Sequence, residues 1–421
     1  MPRVRPTRRT PSGWRACVLV SVVALGSMGG AVPAGALDGD LDTSFGQGGR
    51  VTTLFPDGSF ANAVAIQQDG RIVAVGAAAG PSLSGEFAVA RYETDGSLDP
   101  GFDEDGMVTT PIAGGGDEAR SVAIQPNGKI VVAGTDSRQR FAVLRYLGDG
   151  RLDPRFGTDG IVRSDLTSGE DIGFDVAIQR DGKIVVAGSA GGRIAVVRYL
   201  RDGRLDRAFG EGGTVLMVRG GVARALAIQP DGKIVLTGYN GRGLVVVRLL
   251  PDGGPDPSFG RAGISSIVAS PILPLALALQ GNGRIVVVGD YDIFRAGIVR
   301  FTRHGDLDPD FSGDGMRSVR FGSGEQNFTG VAVQDDRRII AVGHIGPHEF
   351  GDPVVPRIVL ARFTPGGRLD PSWGGDGRVA TRFPGGASAS GLVLQPDGRP
   401  VVAGQAGEGD AWGFALARYR A

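Results

Sequence analysis

The sequence is nearly free of cysteine, and this limits both how the protein can be stabilised and what chemistry it can perform. Cys17 is the only cysteine among 421 residues. Beyond that position a disulfide and a cysteine nucleophile are both excluded. Stability must therefore come from a large, well-packed apolar core.

An excess of charge of either sign is also missing. The chain carries 45 basic and 45 acidic residues. Five arginines and no acidic residue lie in the first 36 positions, so the remainder holds 40 basic against 45 acidic residues. A nucleic-acid partner is therefore disfavoured, because nucleic-acid-binding domains carry a clear excess of positive charge.

The first 36 residues have the composition of a secretory signal peptide. A basic start containing Arg3 and Arg5 precedes an apolar stretch at 17–32, and Ala34-Gly35-Ala36 resembles a cleavage site. We predict a signal peptide over residues 1–36 and a secreted, extracellular chain over 37–421 without a membrane span. An uncleaved anchor is the alternative, and the Arg8-Arg9 pair leaves the Sec and Tat export routes both open.

An internal repeat fills the rest of the chain. An aromatic residue, preceded by an aspartate and followed by glycines, recurs at intervals of 50 to 62 residues: Phe45, Phe102, Phe156, Phe209, Phe259, Phe311 and Trp373. Such a period is typical of repeat architectures. No compositional break interrupts it, so residues 37–421 are predicted to form a single domain.

Each repeat contains four short strand patterns. In most copies Asp-Gly or Asn-Gly separates the second pattern from the third, as at Asp69-Gly70, and this pair favours a two-residue hairpin. The sixth copy has Asp336-Arg337 instead, for which we expect a looser turn. The third pattern is continuously apolar, as at 184–187, which indicates a strand buried on both faces.

Seven copies of four strands, with no helical period, predict an all-β fold, a seven-bladed β-propeller of four-stranded antiparallel blades. The second strand is rich in small residues (63–65) and should lie innermost, whereas the short polar first strand (51–53) should form the outer edge. The N-terminal strand would then close the ring beside the strands at 391–419. An open β-solenoid is the alternative fold.

The repeated strings Leu-Asp-Pro-x-Phe-Gly-x-x-Gly, Val-Ala-Ile-Gln-x-Asp-Gly-Lys-Ile-Val-Val-Ala-Gly and Phe-Ala-Val-x-Arg-Tyr resemble the bacterial delta-60 repeat proteins. The resemblance covers residues 41–419 and implies a propeller-like fold of uncharacterised function. It transfers no catalytic residue. The chain departs from the pattern at Pro255, Arg337 and Trp373, none of which threatens the fold.

Two charged residues recur in every copy, and we expect both to be structural. Each aspartate should cap its own Asp-x-x-Phe-Gly turn, with the arginine pairing nearby. The aspartates are Asp42, Asp99, Asp153, Asp206, Asp256, Asp308 and Asp370, and the arginines are Arg91, Arg145, Arg198, Arg248, Arg300, Arg362 and Arg418.

Two clusters have residues that can bind metals, but no metal or other cofactor is predicted. Alternate acids around Asp308 could converge on calcium, but the EF-hand positions hold Phe311 and Arg317 instead of glycine and glutamate. His344 and His348 are four residues apart, yet the Gly-Pro between them forbids a helix, so a solvated loop is the favoured interpretation. Nucleophile-elbow and phosphate-loop motifs are also missing from the sequence.

Function is expected on one end of the ring, where the connections differ in every copy and which we call the variable face. We predict a non-catalytic, monomeric binding scaffold for an extracellular protein or polysaccharide; the alternatives are an extracellular hydrolase or lyase and a structural envelope component. No catalytic residue is assigned. The candidate binding residues are Tyr239, Tyr291, Asp292, His344, His348, Glu349, Asp352 and Trp412.

Overall fold

The structure is a computed structural model that describes residues 38–79, 85–268, 270–347, 354–408 and 411–421. The predicted signal peptide lies outside these residues. The described chain forms 28 strands, arranged as seven four-stranded antiparallel sheets. Within these ranges, no helix is long and apolar enough to cross a membrane. The fold is thus the predicted seven-bladed β-propeller.

The blades follow one another along the chain. Blade 1 contains β2 (Ser59–Ile66), β3 (Ile72–Ala79), β4 (Gly85–Tyr92) and β5 (Met107–Thr110). Blade 2 contains β6 (Glu118–Ile124), β7 (Ile130–Thr135), β8 (Phe141–Tyr146) and β9 (Ile161–Ser164). Blade 3 contains β10 (Asp171–Ile178), β11 (Ile184–Ala190), β12 (Arg193–Tyr199) and β13 (Thr214–Arg219). Blade 4 contains β14 (Val222–Ile228), β15 (Ile234–Tyr239), β16 (Gly243–Leu249) and β17 (Ile264–Val268).

The remaining three blades complete the ring. Blade 5 contains β18 (Leu273–Leu279), β19 (Ile285–Asp292), β20 (Arg295–Phe301) and β21 (Met316–Val319). Blade 6 contains β22 (Glu325–Val333), β23 (Ile339–Gly346), β24 (Arg357–Phe363) and β25 (Arg378–Thr381). Blade 7 contains β26 (Ala387–Leu394), β27 (Pro400–Glu408), β28 (Ala411–Arg418) and β1 (Arg50–Thr53).

The strands that were predicted to be innermost line the axis. The first strand of each blade contacts the first strand of the next, and β26 contacts β2, so these seven strands form a closed ring. Each of them carries a β-bulge that adds one residue to the strand. Since a bulge re-aims a side chain, the seven bulge positions decide what the inner ring presents.

The ring is closed by the N-terminal strand, as predicted. β1 pairs with β28 in an antiparallel register that sets Val51 opposite Leu416. Beside this pairing, the Phe55 and Phe414 rings pack with their centroids 4.9 Å apart. The first strand of the described residues therefore completes the last blade beside β28.

The core lies between the blades. All six residues of β7 and all seven of β11 are buried, as the continuous apolar patterns indicated. Apolar side chains of adjacent blades meet in seven clusters. Because each buried Val or Ile contributes about 1.5 to 3 kcal/mol, these clusters can stabilise the ring without disulfides.

The turn between the two innermost strands of a blade differs from the predicted two-residue hairpin. In blade 1 the Gln67 N–H donates to the Arg71 carbonyl at 2.8 Å, and the Gly70 N–H donates to the Gln67 carbonyl at 2.9 Å. Gly70 has a φ of 88°, and Asp69 lies outside the left-handed region. This is a three-residue loop, a type I turn followed by a glycine bulge, which needs one left-handed residue instead of two.

The expectation of a looser turn in the sixth copy was wrong. The Arg337 N–H donates to the Gln334 carbonyl at 2.8 Å, the bond that glycine makes in the other copies. Arg337 itself adopts a φ of 70°. The pairing of β22 with β23 fixes the turn, so the arginine accepts a strained backbone conformation and the turn keeps its shape.

Candidate functional site

The two ends of the propeller are built from different connections. The variable face holds the connection from the outer strand of one blade to the inner strand of the next, together with the connection between the two middle strands. The opposite end, which we call the uniform face, holds the innermost hairpins and the Asp-x-x-Phe-Gly turns.

One cluster of interactions is repeated around the uniform face, and blade 4 illustrates it. Arg248 donates from Nε to Asp256 Oδ2 at 2.7 Å, and its guanidinium lies 4.6 Å from the centre of the Phe259 ring. A second nitrogen donates to the Arg303 carbonyl of the next blade at 2.7 Å. Lys233 supplies Asp256 with another cation at 3.1 Å. The arginine thus joins its own turn to the neighbouring blade.

The cluster occurs in all seven blades. The arginine Nε to aspartate distances are 2.6 to 2.8 Å, and the guanidinium to ring-centre distances are 4.4 to 4.8 Å. Burial alone would raise the pKa of Asp42, but hydrogen bonds from Ser44 and Arg399 and the charge of Arg418 lower it to about 2. The predicted structural role of the recurring aspartates and arginines is confirmed.

The same pairing accounts for the acids considered for calcium. Asp308 Oδ2 accepts from Arg300 at 2.6 Å, and Asp310 Oδ2 accepts from Arg284 at 2.6 Å. Among the described residues, no three His, Cys, Asp or Glu side chains are grouped as metal ligands would be. These carboxylates therefore hold turns and blades together through arginine.

The candidate aromatic residues lie at the variable face but in separate blades. Tyr239 ends β15 in blade 4, Tyr291 lies next to the end of β19 in blade 5, and Trp412 is the second residue of β28 in blade 7. All three are half-buried. His348, Glu349 and Asp352 fall outside the described residues. The three aromatic candidates therefore lie on the same face of the propeller, but the structure does not bring them together into one cluster.

Tyr291 and Asp292 are engaged by a neighbour on their own hairpin. The guanidinium of Arg295 lies 4.7 Å from the centre of the Tyr291 ring. Its Nε donates to Asp292 Oδ2 at 2.7 Å, and this contact lowers the pKa of Asp292. One ring face of Tyr291 is therefore covered.

The assignment of His344 to a solvated loop was wrong. His344 lies inside β23, directly opposite Asn327 of β22, and is half-buried. Burial lowers its pKa, although a hydrogen bond with the Ala389 backbone and the charge of Glu325 act in the opposite direction. The apolar pattern of β23 runs past the histidine to Gly346, and the pairing with β22 extends with it, which sequence spacing did not reveal.

Sequence reasoning missed Arg224, the bulge residue of the inner strand β14. Its guanidinium lies 4.5 Å from the centre of the Phe174 ring and 5.9 Å from that of Tyr239. Its Nε is buried and has no hydrogen-bond partner among the described residues. Arg120, the bulge residue of β6, also lies over Phe174, at 5.0 Å, but pairs with Glu118.

A group of polar side chains lies beside Arg224 in blades 5 and 6. Burial raises the pKa of Asp290 to about 6; Asn327 and Arg224 act to lower it, and the charge of Glu325 raises it further. Asp290 Oδ1, Asn327 Oδ1 and His344 Nδ1 are buried without a hydrogen-bond partner among the described residues. Such atoms are uncommon in native proteins, and each needs an explanation such as an ordered water, an ion or a functional role.

A signal for this group was present in the sequence, but only in the differences between copies. The seven bulge positions hold residues of widely different character: Asn62, Arg120, Phe174, Arg224, Leu275, Thr329 and Ser390. Scaffold positions hold the same residue in nearly every copy. Variation at one aligned position of the inner ring therefore marks the place where the repeat is specialised.

Exposed apolar side chains are concentrated on the variable face. Eight large apolar residues are exposed among the described residues. Seven lie at or beside variable-face connections: Leu54, Phe60, Val268, Leu273, Ile293, Phe294 and Val355. Leu205 alone lies in a uniform-face turn. The exposed apolar side chains of the described residues therefore lie mainly at one end of the ring.

Comparison with known proteins agrees with this geometry. Five segments match a family model described as "Domain of unknown function (DUF5122) beta-propeller": residues 67–102, 125–156, 179–209, 229–259 and 280–311. Each segment runs from the innermost hairpin of a blade to the buried aromatic residue of its Asp-x-x-Phe turn. The comparison with curated proteins gives no match.

Solved structures share the fold, and two of them are lyases. Virginiamycin B lyase from Staphylococcus aureus is 10% identical with a TM-score of 0.53, covering 88% of this chain and 98% of that one. A streptogramin B lyase structure is 9% identical with a TM-score of 0.51, covering 88% and 97%. Identities this low show the fold alone. In these five segments the chain is similar to an uncharacterised β-propeller family.

Proposed function

We propose that the protein is an exported, non-catalytic propeller that binds an extracellular protein or polysaccharide through its variable face. The observation that supports this most is the placement of seven of the eight large apolar residues that are exposed in the described part of the chain on that face. Apolar surface left in water is costly, and soluble proteins keep large patches of it mainly where a partner covers them.

The uniform face offers little for a partner to recognise. Its recurring arginines and aspartates satisfy one another, and its turns repeat from blade to blade. Varied connections on a rigid scaffold are a common arrangement in binding proteins. We also infer that the family is that of the delta-60 repeat proteins, because the repeated strings resemble theirs over residues 41–419.

A matched pair of variants tests the binding face. Ile293 is exposed on the variable face and Leu205 on the uniform face. Binding of the mature chain to extracellular proteins and polysaccharides of the producing organism should weaken in Ile293→Ser and persist in Leu205→Ser. Equal losses in the two variants, or a loss in Leu205→Ser alone, would contradict the proposal.

Export is tested at the N-terminus. The proposal expects the protein in the culture medium to begin at Leu37, monomeric by sedimentation at micromolar concentration. Full-length protein retained in membranes would favour an uncleaved anchor. Concentration-dependent self-association without a ligand would favour a structural envelope component.

A hydrolase or lyase is the second candidate function, and one observation favours it. Burial raises the pKa of Asp290 to about 6, so this carboxyl titrates closer to neutral pH. Burial lowers the pKa of His344, so this imidazole is neutral there and could act as a base. The two lyases of similar fold add no argument at 9 and 10% identity. Turnover of a polysaccharide that is abolished by Asp290→Asn would establish this candidate; binding without turnover would remove it.

A further inference from the structure

We propose that the variable-face ends of the inner strands in blades 4 to 6 form a site for a neutral sugar residue, with Arg224 as hydrogen-bond donor and Tyr239 as an apolar platform. The inference rests on the proposed binding function and names its ligand class and its residues. Arg224 differs in its contacts from the buried arginines of the uniform face.

Arg224 has aromatic neighbours, and its Nε has no acceptor. This Nε is buried without a hydrogen-bond partner among the described residues, and the guanidinium lies over the Phe174 and Tyr239 rings. In the same blade, Arg248 donates to Asp256, Ser258 and the Arg303 carbonyl. A buried Nε–H without an acceptor has lost its hydration and gained no hydrogen bond in return. A ligand that brings acceptor oxygens would supply what Arg224 lacks.

The groups around Arg224 are mostly acceptors, and this selects the ligand's charge. Asp290 lies within the electrostatic influence of Arg224 and Glu325, and Asn327 contacts Asp290. Two carboxylates would repel an anionic ligand, while Arg224 would repel an ammonium group. A hydroxyl group both accepts from a guanidinium and donates to a carboxylate or amide oxygen. Neighbouring hydroxyls of a neutral sugar therefore match the mixed set.

Apolar surface is available next to these polar groups. Tyr239 is half-buried and lies opposite Val222 at the variable-face end of blade 4. Leu273 is 40% exposed and pairs with Asp290 in blade 5. The C–H face of a sugar ring can pack on such apolar surfaces while its hydroxyls reach nearby polar groups. Tyrosine suits this arrangement because its ring is apolar and its hydroxyl is polar.

Calorimetric titration of the mature chain tests the site. The probes are neutral tetrasaccharides (cellotetraose, maltotetraose, laminaritetraose and mannotetraose), with tetragalacturonate and chitosan tetramer as charged arms. At least one neutral probe should bind more tightly than both charged ones. Arg224→Gln should weaken that binding about tenfold to a hundredfold, the usual loss for a hydrogen bond to a charged group.

Two further variants separate binding from folding. Arg224→Lys keeps the charge and removes the guanidinium fork, so it should weaken binding while retaining the wild-type unfolding temperature. Arg204→Gln is the matched control, because Arg204 is exposed on the uniform face and pairs with Asp202. It should bind as the wild type does.

The outcomes distinguish this inference from the proposed function. Neutral-sugar binding that survives both Arg224 variants, or binding restricted to a charged probe, would overturn the inference and leave a binding variable face intact. The absence of any saccharide binding up to millimolar concentration would also overturn it. The proposed function has its own test. It is contradicted if Ile293→Ser and Leu205→Ser change partner binding to the same extent.

Discussion

Blade 4 contains two arginines in opposite circumstances. Arg248, towards the uniform face, is paired with Asp256 and with the next blade, and six other blades repeat its environment. Arg224, at the inner strand, lies over two aromatic rings, and its Nε has no hydrogen-bond partner among the described residues. A side chain whose interactions recur in every repeat maintains the repeat, whereas one that appears once and lacks a polar partner is available for binding.

The largest effect should follow removal of the closing strand, which tests the scaffold half of this comparison. A chain that begins at Asp57 lacks β1 and Asp42, so Arg418 loses its 2.8 Å partner and β28 becomes an exposed edge. Breaking a buried ion pair alone costs about 3 to 5 kcal/mol. We expect the midpoint of thermal unfolding to fall by about 10 °C or more. The control is a chain that begins at Asp38. Equal unfolding midpoints for the two chains would show that the ring does not depend on this closure.

Removal of a single scaffold carboxylate should have the next largest effect. Asp308→Ala leaves Arg300 and Arg284 without their shared partner, and the Arg300 side chain is only 3% exposed. Urea unfolding should show a loss of about 3 to 5 kcal/mol. Asp231→Ala is the control, because Asp231 is 56% exposed and its pair with Lys233 is 3.6 Å long, worth about 1 kcal/mol or less. Equal losses would remove the distinction between scaffold and surface charges.

Asp175 tests the inner ring, where the copies also differ. Burial raises its pKa to about 8, although Ser121, Leu226 and Val176 donate hydrogen bonds to it and act in the other direction. Since the folded pKa lies above the unfolded value, the stabilising contribution of the neutral acid is complete below about pH 4 and is lost as the pH rises to about 8.

The readout for Asp175 is the slope of stability with pH. The wild type should lose up to about 1.4 kcal/mol per pH unit from this group across that window. Asp175→Asn should remove this slope because the amide does not titrate. The variant should also be less stable than the wild type at every pH, because the amide cannot accept hydrogen bonds from both backbone N–H groups. Urea unfolding at several values between pH 4.5 and 9 checks this. Parallel profiles for wild type and variant would show that Asp175 ionises normally.

The smallest effect concerns the one uniform-face hairpin that departs from the repeat. The left-handed conformation of Arg337 costs about 1 to 2 kcal/mol, and Arg337→Gly removes this cost. Glycine also makes the unfolded chain more flexible, which lowers stability by about 0.5 to 1 kcal/mol. Stability should therefore rise by roughly 0.5 kcal/mol. The reverse change, Gly398→Ala at a φ of 84°, should lower it by about 1 kcal/mol. A destabilised Arg337→Gly would mean that the arginine contributes contacts that outweigh its strain.

The sequence predicted the scaffold well because the scaffold is repeated. Seven copies of one pattern gave the blade count, the strand order and the closing strand, and the recurring aspartates and arginines could be interpreted as turn chemistry. The hairpin type was missed because Asp-Gly suits both two-residue and three-residue loops, and only the strand register decides between them.

The candidate site was predicted less well because it is not repeated. Tyr239 was identified on the correct face as an isolated aromatic residue, but its neighbour Arg224 was not. Arg224 becomes distinctive only when the bulge positions of all inner strands are aligned and its missing acceptor is seen. The pairing that places His344 opposite Asn327 likewise depends on the extension of β22 and β23, which the sequence does not specify.

The most direct test of the functional comparison is amide hydrogen exchange with and without the tightest-binding neutral tetrasaccharide. A binding variable face predicts slower exchange in the ligand complex at 219–224, 238–243 and 290–297, and unchanged exchange in the uniform-face turn at 256–263. Slower exchange confined to the uniform-face turns would contradict the assignment of the binding surface.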